Sequence, residues 1–151
     1  MKDSFDESNP RRTWMGLLSK APEGRVAALL ASAIAAPRFT WLRAPEIGTT
    51  MVRARAGATG APFNLGEMTV TRCALTLETG EIGHAYVQGR RKADAEAAAL
   101  VDALMQTDAA DRVRATILDP IADELAAAKA GRAAKAAATK VEFFTLVRGE
   151  D

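Results

Sequence analysis

The sequence predicts an α+β fold: an antiparallel, hairpin-rich sheet packed by helices, with a C-terminal Ala-rich helical arm and a final strand-like segment. Three observations carry this. Residues 39–88 alternate apolar and polar side chains between turn-rich stretches, as half-buried strands do. Residues 10–34 and 93–106 repeat apolar side chains at helical spacing. Residues 126–138 are Ala broken only by Lys, Arg and Gly, which favours helix but buries little area. The expected organisation is a disordered tail at 1–8, an α+β core at 9–107, and a helical arm with a terminal strand at 108–151 that packs with another subunit.

The chain of 151 residues suits one domain with a moderate core. Its apolar fraction is 48%, but aromatic residues are 5%, so Ala supplies much of that core. A net charge of +1, from 20 basic and 19 acidic residues, argues against non-specific nucleic-acid binding, which needs a concentrated positive field. One Cys, Cys73, excludes an internal disulfide, a Cys-ligated iron–sulfur cluster and a four-Cys zinc site built by one chain. One His, His84, stands far from it in sequence, so no metal site is expected. The N-terminus lacks the apolar stretch of a signal peptide, and no run of about 18 apolar residues exists to span a membrane. A cytoplasmic location is expected.

In order, Asn9-Pro10 reads as an N-cap followed by Pro at the first helical position, with Trp14, Leu17, Leu18 and Ala21 on one face. Pro22-Glu23 starts a second helix with Val26, Leu29, Leu30, Ala33 and Ile34 as its stripe, and Pro37 ends it. Residues 39–46 read as a strand, 46–49 as its turn and 50–56 as the returning strand. Arg53 and Arg55, joined by Arg43 in a tight hairpin, point away from Val52, Ala54 and Ala56. The loop 57–62 reads as a hairpin connection. Its glycines also permit an anion nest, but it lacks the Lys and Ser/Thr of a phosphate-cradling P-loop.

Met68 and Val70 are apolar at even positions, whereas Cys73, Leu75 and Leu77 are apolar at odd ones. That parity switch predicts a β-bulge at Thr71-Arg72 and makes Arg72 a candidate functional arginine. Residues 78–81 read as a hairpin turn and 82–88 as a strand with His84 and Tyr86 on one face. Arg90, Arg91 and Lys92 then open a helix from about 93 to 106, with Ala97, Leu100, Val101 and Leu104 buried. Cations at a helix start oppose the macrodipole but suit a bound anion. The candidate anion or partner contacts are therefore Arg72, Arg90, Arg91 and His84. No catalytic, cofactor-binding or metal residues are expected. Asp119-Pro120 reads as a further helix start, and residues 141–149 as an apolar strand that closes the chain's own sheet or a partner's.

Residue chemistry leaves two other readings open. One is a self-sufficient small enzyme using His84 or Cys73. The other is a winged-helix DNA-binding protein, against which stands a second helix whose one cation is Arg25.

Several segments in order resemble a known family. They are Arg12-Thr13-Trp14-Met15, Gly57-Ala58-Thr59-Gly60, Phe63-Asn64-Leu65-Gly66-Glu67-Met68-Thr69-Val70-Thr71-Arg72, Gly83-His84-Ala85-Tyr86-Val87-Gln88-Gly89-Arg90, Ala95-Glu96 through Asp102-Ala103-Leu104-Met105-Gln106, and Val141-Glu142-Phe143-Phe144-Thr145-Leu146-Val147-Arg148-Gly149. Together they are similar to PhnG, a subunit of the bacterial carbon–phosphorus lyase system. The resemblance implies a core complex with PhnH-, PhnI- and PhnJ-like subunits. It also implies that a PhnL-like subunit joins the reaction, in which a phosphonate is transferred to ribose C1 of ATP with release of adenine. ATP is then a substrate of the complex. Iron–sulfur and S-adenosylmethionine chemistry belongs to another subunit, and this chain binds no cofactor by itself. No DNA and no membrane partner is implied.

Overall fold

The computed structural model describes residues 9–141. The tail at 1–8, and the strand-like ending apart from Val141, lie outside the described residues. The sheet has three strands, β1 (Phe39–Arg55), β2 (Pro62–Leu77) and β3 (Ile82–Gln88), antiparallel in the order β1-β2-β3. The turn expected at 46–49 is instead continuous strand: Glu46, Ile47, Gly48 and Thr49 pair with Arg72, Thr71, Val70 and Thr69. A long β2 satisfies the backbone of β1 throughout, so a lone glycine without positive φ has no reason to reverse the chain. The reversal comes at 56–61, where Gly57 (φ 58) and Ala58 (φ 65) take the left-handed conformation. The loop 57–62 is thus the hairpin connection. Because β3 reaches only Val70 to Thr76, the far end of β1 and β2 is a two-stranded ribbon.

The irregularity expected within β2 lies across from it. Pairing of β2 with β3 is unbroken from Val70–Gln88 to Thr76–Ile82. Between β1 and β2 the register shifts at Trp41/Arg43 and again at Arg43/Glu46, so the surplus residues are on β1. Pro45, which has no N–H for a ladder, falls inside the second shift. The parity change in β2 is absorbed by Thr71, which is fully buried with the odd-numbered side chains. Its hydroxyl donates to the Gly89 carbonyl (2.7 Å) and accepts from the Arg91 N–H (2.9 Å). A buried hydroxyl with both partners is tolerated where an unpaired one is not.

Helices cover one face of the sheet. Helix α1 (Pro10–Lys20) is capped as expected, the Asn9 side chain accepting from the Arg11 and Arg12 N–H groups. Helix α2 (Arg25–Ala33) starts later than Pro22-Glu23 suggests, after Gly24 at φ 74. Its cap comes from a distant residue: the Asp94 carboxylate accepts from the Gly24 N–H (2.7 Å) and the Ala27 N–H (3.4 Å). Helix α3 (Lys92–Leu104) lies against β2 and β3 and is buried from Ala97 to Leu104 on every side. Alanines allow that depth. A Cβ on Gly83 of β3 would collide with the Ala99 carbonyl oxygen and lie 3.0 Å from the Ala103 methyl. Helix α2 packs on α3, and its one cation, Arg25, is paired with Glu124 at 2.7 Å.

The C-terminal helix begins before Asp119-Pro120. It runs from α4 (Ala110–Val113) through a π-helical turn (Arg114–Leu118) into α5 (Asp119–Ala138). Pro120 has no N–H and crowds the carbonyl four residues back, and the wider turn just before it accommodates this. Val113, Ile117, Leu118 and Ile121 join the same core as α1–α3, so the core continues past residue 107. Among the described residues of this C-terminal part, an unbroken exposed run begins at Ala126 and reaches Val141. The Ala-rich arm is therefore the distal half of α5.

Candidate functional site

Alternation along β2 and β3 sends one set of side chains into the helices and the other outward. Gly83, Ala85 and Val87 are buried, whereas Ile82, His84 and Tyr86 are exposed on the far face. None of the described residues covers that face over His84 and Tyr86. Two cross-strand rows occupy it. In one, Glu46, Arg72 and Tyr86 stand opposite each other on the three strands; in the next, Arg43, Ala74 and His84 do. Residues 43 and 46 would face opposite ways in a regular strand. The irregularity at Ala44-Pro45 puts both on the open face, which is what it does for the site. Ala74 is the small residue between them, and it leaves a shallow cleft of about 280 Å³ edged by Arg43, Arg72, His84 and Tyr86.

Charge in the cleft is two arginines against one carboxylate. Glu46 Oε1 lies 2.6 Å from Arg72 Nε and 3.3 Å from an Arg43 nitrogen. The Tyr86 phenol and then Glu46 raise the Arg72 pKa from its ordinary value, so this guanidinium is charged throughout the physiological range. By charge and geometry such a cluster is able to take a carboxylate or phosphate in exchange for Glu46. Cys73 lies beneath the floor with its thiol turned inward, donating to the Ala95 carbonyl at 3.2 Å. Burial, with Glu96 adding to it, pushes its pKa up to about 12, so the thiolate is essentially absent at neutral pH. Among the described residues no three His, Cys, Asp or Glu side chains group closely enough to hold a metal ion.

The structure brings Arg72 and His84 together here and places the other two candidates elsewhere. Arg90 is exposed beyond the end of β3 and does not edge the cleft. Arg91 is largely buried and committed to the fold: it donates to the Gln88 carbonyl (2.7 Å) and the Ala21 carbonyl (2.8 Å), with Asp94 at 3.8 Å. Sequence reasoning passed over Glu46 and Tyr86, whose roles depend on pairing partners distant in sequence. It also missed Asp102, a fully buried carboxylate that organises the opposite face. Asp102 accepts from Arg11 through Nε (3.1 Å) and a terminal nitrogen (2.8 Å), from the Trp14 indole (2.9 Å) and from the His84 N–H (2.8 Å). The signal was an Asp in an otherwise apolar helix face, with an Arg and a Trp three residues apart on another helix.

Comparisons with known proteins cover nearly the whole chain. The sequence profile of the family described as phosphonate metabolism protein PhnG matches residues 9–149. The α-D-ribose 1-methylphosphonate 5-triphosphate synthase subunit PhnG of Rhizobium meliloti (strain 1021) is 42% identical over 141 residues, covering 93% of this chain and 90% of that protein. Matches of this extent run through the helix-covered core, both rows of the open face and the C-terminal helix, and the chain belongs to the PhnG family.

Proposed function

We propose that the chain is a non-catalytic subunit of an α-D-ribose 1-methylphosphonate 5-triphosphate synthase acting in phosphonate breakdown. The observation that carries this is the 42% identity to the Rhizobium meliloti synthase subunit over nearly the full length of both chains. The geometry supports a subunit role. The open face is a polar, arginine-bearing surface without a paired nucleophile and base, and the ribbon beyond it exposes Met51, Phe63 and Leu65. Scattered exposed apolar residues are ordinary, but several along one projecting ribbon fit an interface. The chemistry then resides in the assembly: a phosphonate displaces adenine from ribose C1 of ATP, with iron–sulfur and S-adenosylmethionine chemistry on a separate subunit. The partners are PhnH-, PhnI- and PhnJ-like subunits in the core and a PhnL-like subunit in the reaction, all in the cytoplasm.

Light scattering on the chain alone and co-expressed with those subunits tests this. One large species that contains the chain, and that releases adenine from ATP only when methylphosphonate is present, is the expected outcome. A chain that remains separate from all of them contradicts the reading.

A further inference from the structure

The floor of the open-face cleft is Ala74, and donors of three kinds stand around it. Arg43 and His84 hold the two ends of its row, about 10 Å apart at the backbone, or two interstrand spacings. Arg72 and Tyr86, from the next row, close a third side. Arg72 is hydrogen-bonded to the Tyr86 phenol, whose oxygen accepts, so the phenol keeps its own O–H to donate. The lining of the cleft holds no carboxylate. Glu46 reaches the arginines from the strand position opposite Arg72, and a single oxygen, Oε1, serves both guanidiniums, at 2.6 Å and 3.3 Å. Each guanidinium carries a fork of N–H donors, and together they have more than one carboxylate oxygen accepts.

We infer that this cleft binds a tetrahedral oxyanion, a phosphonate or phosphate group, which replaces Glu46 on Arg43 and Arg72 and accepts from His84 and Tyr86; resting on the subunit reading above, the group belongs to a reactant of the synthase. Shape favours this group over a carboxylate. Oxygens arranged about a tetrahedral centre meet donors on several sides, whereas a carboxylate offers its oxygens in one plane. Size limits the ligand to a group rather than a whole nucleotide: at about 280 Å³ the cleft falls below the ~300–1,000 Å³ of sites that enclose a drug-sized molecule. Charge fits as well, since a phosphate monoester carries about −1.5 to −2 at neutral pH and both guanidiniums face it once Glu46 has moved. Glu46 is then a resident competitor. It holds the arginines in place until the ligand arrives, so neither guanidinium is left unpaired in either state. The cleft is shallow and open to one side, so a subunit seated on this face would complete the site.

The chain has one His and one Tyr, and both edge the cleft, so the NMR signals of their rings report on it directly. The full chain is titrated with methylphosphonate, sodium triphosphate and sodium acetate in turn. Saturable shifts at both rings are expected with methylphosphonate or triphosphate, and weaker ones with acetate. Whichever of the two binds more tightly identifies the group as a phosphonate or as the end of a polyphosphate. Arg43→Ala is expected to weaken that binding about tenfold, as loss of a charge-assisted hydrogen bond does. Glu46→Gln is expected to strengthen it by removing the competing anion, and Arg90→Ala, which lies off the cleft, to leave it as it is. Overturning results are no shift at either ring, acetate bound as tightly as methylphosphonate and triphosphate, or binding that Glu46→Gln leaves unchanged or weakens. Co-purification of the wild-type chain with the PhnH-, PhnI-, PhnJ- and PhnL-like subunits tests the subunit reading by itself, independently of these titrations. In that complex Arg43→Ala is expected to raise KM for methylphosphonate or for ATP in adenine release, and an unchanged KM for both would overturn the assignment to a reactant of the synthase.

Discussion

The two faces of one small sheet are built from the same strands and do opposite things. Toward the helices, Gly83, Ala85 and Val87 of β3 and Cys73 and Leu75 of β2 meet an Ala-dense α3 at backbone distance. Away from them, His84, Tyr86, Arg72 and Arg43 stand in rows with no covering element among the described residues. The covered face is specified by volume and by a few buried carboxylates whose partners are fixed. The open face is specified by charge and register, and its side chains can change without disturbing the core. On the subunit reading proposed above, stability and assembly separate by face, and substitutions on each should show it.

The largest effect is expected at Gly83. Gly83→Ala drives a methyl into the Ala99 carbonyl, a backbone atom that cannot step aside. Overpacking of this kind should cost about 3 kcal/mol, at the top of its usual range, read as a lower denaturant midpoint. A variant as stable as wild type would mean that α3 and β3 are not in backbone contact. Next is Asp102→Asn, which sets an amide NH₂ against donors from Arg11, Trp14 and the His84 N–H. A loss of about 2 kcal/mol is expected, with changed Trp fluorescence as α1 loosens from the sheet.

A smaller effect comes from Cys73, whose folded pKa is raised from 9.0 to about 12. The unfolded thiol ionises from about pH 9 upward while the folded one stays protonated. The stability this provides is therefore complete below pH 9 and lost as pH rises toward 12, by at most about 1.4 kcal/mol per pH unit. Comparing Cys73→Ala with wild type across that window isolates it: the wild-type slope should be the steeper. Equal slopes would place the thiol in water. The smallest effect on the fold is expected for Arg72→Ala on the open face, where the thermal midpoint should stay as it is while binding to the partner subunits weakens. A loss of folding without a loss of assembly would reverse the roles assigned to the two faces.

Helices and strands with local signals were legible in the sequence. Asn9-Pro10 carries its own cap, Gly80 (φ 104) its own turn, and the alternation of 82–88 its own two faces. What escaped depended on partners far along the chain. Nothing near Gly48 says that β2 is long enough to keep β1 straight. Likewise Asp94 caps a helix 70 residues earlier, which leaves no local trace. The bulge was sensed through its consequence, the parity of β2, and assigned to the wrong strand of the pair. Of the residues that edge the cleft, Arg72 and His84 were candidates by their own positions in the sequence. Arg91 looked similar by composition, but its carbonyl partners Gln88 and Ala21 belong to the fold. Proline before a helix and proline within one also look alike until the π-helical turn is seen.

Hydrogen–deuterium exchange on the chain alone and in the assembled complex tests the division between the faces most directly. The account predicts that amides of the ribbon, residues 49–69, and of the exposed half of α5 gain protection on assembly, while α3, already buried, changes little. Ribbon and arm amides that exchange equally fast in both states, with protection gained in α3, would contradict it.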